Sequence, residues 1–137
     1  MERQSKNEKL LQYFKDICRI PRQTGDEEAI SQYLLDFAKA RGLQAERDAH
    51  HNVLIRKPST IPGYKGPTVI VQGHMDIVYE KSADSTHKYE DGIHVVEEDG
   101  YLKSADGTSL GADNGLAVAY AMDLLIEMIC RFRPWRF

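Results

Sequence analysis

The sequence predicts an α/β fold, a mixed sheet flanked by helices. Two helix-spaced apolar stripes lie between residues 7 and 42, strand-like apolar runs follow between 53 and 104, and an apolar helix returns near 114. Leu10, Leu11, Phe14, Ile17 and Cys18 fall at spacing i, i+1, i+4, i+7, i+8, which draws one stripe on a helix. Pro21 ends that helix, because its ring cannot continue the hydrogen-bond ladder. A second helix opens at Thr24. Thr24 followed by Glu27 fits a capping box, with acidic residues in the first turn. Its stripe is Ile30, Tyr33, Leu34, Phe37 and Ala38, with Arg41 in the last turn and Gly42 placed to close it.

The period then changes. Val53–Ile55 reads as a short strand. Three prolines and two glycines between Lys57 and Pro67 predict a loop. Thr68–Gln72 is the next strand, and the consecutive Val69, Ile70 and Val71 predict burial on both faces. Residues 79–92 are polar and irregular. His94–Glu98 and Tyr101–Ser104 flank Asp99-Gly100, a hairpin signal. A Gly/Asp/Ser-rich loop over 105–115 leads into a helix at about 114–128. It is apolar on nearly every side, so it should pack inside a domain.

Composition narrows the class. A chain of 137 residues suggests one domain or part of one. At 42% hydrophobic it can build a core, and a net charge of −3 argues against a nucleic-acid partner. Two cysteines make no disulfide framework, which fits a reducing, cytoplasmic setting. The polar N-terminus shows no signal peptide. The longest apolar stretch, 116–126, is interrupted by Asp123 and is too short to span a bilayer, so no membrane role is expected.

Two segments could carry chemistry. In Gly73-His74-Met75-Asp76, extended backbone turns His74 and Asp76 to the same side at a strand end, where open α/β sheets place ligands. A carboxylate beside an imidazole can hold its tautomer as a metal ligand. A bare His-x-Asp is common by chance, and a loop histidine beside a solvated aspartate is the ordinary reading of the triplet alone. In Gly107–Gly115, Asp113 falls at a helix N-terminus, where an ionised carboxylate is favoured and can bind metal. Asp113 or Asn114 as a simple N-cap is the competing reading. Elsewhere, His50-His51 suits a solvated turn, and His87 and His94 lie in polar surface segments. Cys18 belongs to the core. Ser104 and Ser109 lack a nucleophile elbow, and 106–113 does not match a calcium loop.

In this order, segments 69–81, 83–87 and 106–115 resemble the Xaa-His (aminoacyl-histidine) dipeptidases, members of the co-catalytic zinc metallopeptidases that include aminoacylases and carboxypeptidases. The likeness covers about residues 8–128. It implies the N-terminal part of a zinc-exopeptidase catalytic domain over residues 1–128, and metal-dependent hydrolysis of dipeptides. It further implies that His74 ligates one of two Zn2+ ions, that Asp113 bridges both, and that Asp76 serves catalysis by orienting His74. A cis peptide often follows the bridging aspartate, here Asp113–Asn114. The family's general-base glutamate and later ligands match nothing here, so a truncated chain, inactive alone, is the expectation. The alternative is a non-catalytic or partner-binding product. A cut sheet implies self-association through an exposed edge. Residues 129–137, with Arg131, Arg133, Trp135 and Arg136, read as an unrelated or out-of-frame tail. Pro134 and the lack of an amphipathic period argue against a membrane or nucleic-acid hook.

Overall fold

The structure is a computed structural model that describes residues 2–126; residue 1 and the segment 127–137, with the arginine-rich tail, lie outside the described residues. Along the chain come α1 (Glu2–Cys18), α2 (Glu28–Lys39), β1 (Gln44–Arg47), β2 (Val53–Arg56), β3 (Val95–Glu98), β4 (Tyr101–Ser104) and α3 (Ala112–Ile126). The α/β character is as expected. In place of one mixed sheet, the described strands form two separate antiparallel pairs, β1–β2 and β3–β4.

The helical stripes meet in one apolar cluster. Phe14, Ile17 and Cys18 of α1 pack with Val118, Ala119 and Met122 of α3, and Ile30, Leu34 and Phe37 of α2 join them. Fully burying such a side chain contributes about 1.5–3 kcal/mol. Helix α2 ends in a Schellman turn. Gly42, at φ +66°, donates its N–H to the Lys39 carbonyl, and the Leu43 N–H reaches Ala38. The β3–β4 hairpin turns on Asp99 and Gly100, both in the left-handed region, as the Asp-Gly pair predicts.

Three expectations are corrected. Thr24 does not cap α2, which begins at Glu28. An isolated parallel bridge between Gln23 and Ile77 draws Thr24 toward the 74–77 segment, and its hydroxyl donates to Asp76 there. The run Val69–Val71 is not a buried strand: Ile70 is 82% exposed, and among the described residues no strand lies beside it to complete a ladder. Among the described residues, helix α3 is packed against α1 and keeps part of its surface exposed. Tyr120 and Leu124 face outward, opposite the face held by α1.

One buried polar side chain ties the architecture together. Arg22 is 1% exposed. It donates from Nη1 to the Met75 carbonyl at 2.8 Å and from Nη2 to the Gly111 carbonyl at 2.9 Å. Burial pulls its pKa down from the usual guanidinium value, an effect opposed by the neighbouring Cys18. Replacing Arg22 by Met leaves two carbonyls unpaired. The expected loss is about 3 kcal/mol in urea unfolding, and Arg22→Lys should recover less than half, because an ammonium cannot fork between two acceptors.

Candidate functional site

Residues 39 positions apart converge beside Arg22. His74 Nε2 lies 3.1 Å from Asp113 Oδ1, and His74 Nδ1 lies 3.0 Å from Asp76 Oδ1. The Asp76 carbonyl also stands 3.1 Å from Nδ1. Asp76 is held in turn by the Thr24 hydroxyl, which donates to Oδ2 at 2.6 Å. The chain therefore sets a row of four side chains: Thr24, Asp76, His74, Asp113.

Each member is positioned by the backbone beneath it. The Ile77 N–H donates to the Arg22 carbonyl and the Thr24 N–H to the Ile77 carbonyl, which fixes the segment that carries His74 and Asp76. Asp113 stands at the start of α3, in non-helical backbone, and its peptide bond to Asn114 is cis. The glycines of the second motif are needed for close approach as well as for backbone freedom. A Cβ on Gly111 would sit 2.6 Å from Arg22 Nη2, and one on Gly115 would sit 2.7 Å from it. Either would push the guanidinium off its carbonyls.

The row is open to solvent at one end. The Asp113 side chain is 95% exposed and that of His74 49%, whereas Asp76 keeps 27%. Burial works against a charge on His74, but the hydrogen bonds to Asp113 and then Asp76 outweigh it, so the imidazole pKa lies above its ordinary value. The Thr24 hydroxyl is the main cause holding the Asp76 carboxyl below the usual range; burial opposes this and His74 assists it. An imidazole with a carboxylate on each nitrogen donates to both only when protonated. In the metal-free chain this arrangement favours the cation.

Other sequence candidates fall elsewhere. His50 and His51 lie in a turn closed on the Asp48 carboxylate. Cys18 is core, and burial pushes its thiol pKa up. Ser104 bonds Thr108, and Ser109 bonds the Glu80 backbone. His87 is corrected: it is 8% exposed and not a surface residue. It groups with His94 and Asp106, their donor atoms within 4.8 Å of one another. No local pattern signals that grouping, nor the roles of Arg22 and Thr24, because each depends on a contact far along the chain.

No family model matches the chain. The cytosol non-specific dipeptidase of Escherichia coli (strain K12) is 37% identical over 118 residues, which cover 86% of this chain. The solved aminoacylhistidine dipeptidase from Vibrio alginolyticus superimposes with a TM-score of 0.81 at 35% identity, over 87% of this chain. The chain is similar to a segment of each of these two dipeptidases. It spans 24% of the length of each of these two dipeptidases. Among the described residues, no helix is long and apolar enough to cross a membrane.

The raised His74 pKa sets a sign for pH dependence. The folded chain binds that proton more tightly than the unfolded one. The stabilisation is therefore present below histidine's ordinary pKa and is lost as pH rises through the folded value. In an NMR titration of the metal-free chain, the His74 ring should titrate above free histidine, and Asp113→Asn should lower its midpoint. A midpoint at the free value in the unsubstituted chain contradicts the arrangement.

Proposed function

We propose that His74, Asp76 and Asp113 are one corner of a dinuclear zinc site for dipeptide hydrolysis, of the Xaa-His class. The observation that carries this is the approach of His74 Nε2 to Asp113 Oδ1 at 3.1 Å, with the other ring nitrogen backed by Asp76. The donor chemistry fits zinc. Imidazole nitrogen and carboxylate oxygen are its usual ligands, and a histidine ligand usually gives its second N–H to a carboxylate or carbonyl. His74 and Asp113 would hold the metals. Zinc when bound acidifies water to a pKa of about 7 and polarises a peptide carbonyl.

The chain's own residues then have separate tasks. Asp76 fixes the His74 ring and its tautomer. The Thr24 hydroxyl occupies Asp76 Oδ2, so that Oδ1 stays on the imidazole. Asp113 presents its carboxylate to solvent, where a second cation and a substrate can reach it. Among the described residues, no further His, Cys, Asp or Glu joins His74 and Asp113 in a three-donor group. A catalytic zinc typically takes about three protein ligands. On this reading the described residues supply part of a site, and hydrolysis by this chain alone stays at background. The cytoplasmic setting follows the name of the Escherichia coli relative.

Zinc added to the chain should perturb the His74 ring signals. His74→Ala or Asp113→Ala should weaken that binding about tenfold or more, and Asp76→Asn by about 10–100-fold, the usual cost of losing an outer partner. Zinc that leaves the His74 signals unmoved overturns the reading, as does affinity at that ring indifferent to Asp113→Ala. Turnover of an aminoacyl-histidine above the uncatalysed rate would overturn the partial-site claim alone.

A second reading, binding through an exposed apolar surface, is favoured by the run at 69–71. Val69, Ile70 and Val71 are 71%, 82% and 56% exposed, an apolar run of the kind that another surface can cover. Sedimentation velocity should show concentration-dependent association that Ile70→Glu reduces. A concentration-independent monomer in the unsubstituted chain rejects it.

A further inference from the structure

We propose a second metal site, sharing no residue with the His74 row, in which His87, His94 and Asp106 bind a divalent transition metal of the zinc class. The three come from different stretches of chain: His87 from the loop before a short 3-10 turn at Tyr89–Asp91, His94 from just ahead of β3, and Asp106 from the turn after β4. Their donor atoms already lie within 4.8 Å of one another.

The geometry prepares the ligands rather than merely collecting them. His87 Nε2 lies 2.6 Å from the Gly92 carbonyl. A carbonyl only accepts, so Nε2 carries a proton, and in the neutral ring Nδ1 then holds the lone pair. A histidine ligand is commonly oriented in this way, by a backbone carbonyl on its second nitrogen. That carbonyl is itself fixed. Gly92, at φ +68°, lies against the Arg19 backbone so closely that a side chain would not fit, and the next N–H, of Ile93, donates to the Cys18 carbonyl at 2.7 Å. The acceptor that sets His87 is thus anchored to the end of α1.

The other two donors are positioned by bonds outside their ligand atoms. The Ala105 N–H donates to the His94 carbonyl at 2.8 Å, and the Ser85 hydroxyl donates to the Asp106 carbonyl at 2.6 Å. This ties the His87 loop to the hairpin. The His94 ring meets the His87 ring edge to face, with centroids 6.0 Å apart, and His94 Nδ1 lies 2.8 Å from Asp106 Oδ2. The group borders an open polar cleft that Asp84 and Asp91 also line, so a cation can enter and keep water ligands.

Two imidazoles and one carboxylate select zinc and its first-row neighbours. Magnesium and calcium take all-oxygen sets. Without metal the group is held by ordinary bonds. The Tyr79 hydroxyl donates to His87 Nδ1 at 2.8 Å and is the group a cation displaces.

The test uses the full chain carrying His74→Ala, so that its outcome is independent of the proposed peptidase corner. Calorimetric titration with Zn2+ should show a single binding event. His94→Ala and Asp106→Asn, added separately, should each weaken it about tenfold or more. His94 and Asp106 have side chains 58% and 35% exposed, so these variants should keep the parent's thermal unfolding without metal. Zinc should shift the His87 and His94 ring signals together, and Mg2+ should move neither. No zinc binding by the His74→Ala chain overturns the site. So does binding that both His94→Ala and Asp106→Asn leave unchanged, or Mg2+ binding of equal strength.

Discussion

A single buried guanidinium sets the distance between the two halves of the candidate site. Arg22 reaches the carbonyl of Met75, between His74 and Asp76, and the carbonyl of Gly111, two residues before Asp113. Among the described residues its Nε has no hydrogen-bond partner, and Asp76 acts on the charge without a hydrogen bond to it. Taking such a charge out of water costs several kcal/mol, and hydrogen bonds to it return about 1.5–3 kcal/mol each. The two effects are of similar size, so the gain is chiefly geometric. A planar fork with two fixed donors holds two loops at one separation, which a point charge on a flexible stem could not do. Gly111 and Gly115 are the counterpart of that choice. Their missing side chains leave room for the guanidinium.

The chemistry of the row follows from what Arg22 holds in place. His74 stands between two carboxylates of unequal character. Asp76 is half-buried, capped by the Thr24 hydroxyl and kept ionised by it. Asp113 is almost wholly in water. Asp76 therefore has one settled arrangement and acts on the ring from behind, whereas Asp113 is free to take a second partner. The hydrogen bonds to Asp113 and Asp76 raise the His74 pKa, so they favour a proton on that ring. A site that binds a proton too tightly also resists a metal that must displace it. Exposure limits that competition, because solvent screens the pair.

Much of this was legible in the sequence, for identifiable reasons. The three helices, the Asp99-Gly100 hairpin and the closing turn at Gly42 are local matters, set by period and by residues that tolerate positive φ. The pairing of His74 with Asp76 is also local, since two residues in extended backbone face one side. The approach of Asp113 was not. It came from the resemblance, and the structure supplies its physical cause in Arg22, a residue that local pattern reading passes over. Thr24 misled for the same reason. Its spacing to Glu27 fits a cap, but the bridge from Gln23 to Ile77 outcompetes the helix for that hydroxyl. Val69–Val71 misled in the opposite sense. An apolar run states a preference for burial, and a strand is buried only if neighbouring chain arrives to cover it.

His87 and His74 show how the same side chain is committed in different ways. Both imidazoles have a partner on each nitrogen, so neither is idle. On His87 one partner is an acceptor and the other a donor, which suits a neutral ring with a fixed tautomer. On His74 both partners are carboxylates, which suits a charged one. The neutral ring keeps a lone pair behind a hydroxyl that can rotate away. The charged ring must first lose a proton. At the two proposed metal sites a cation would therefore enter by different routes, by exchanging a hydrogen bond at His87 and a charge at His74.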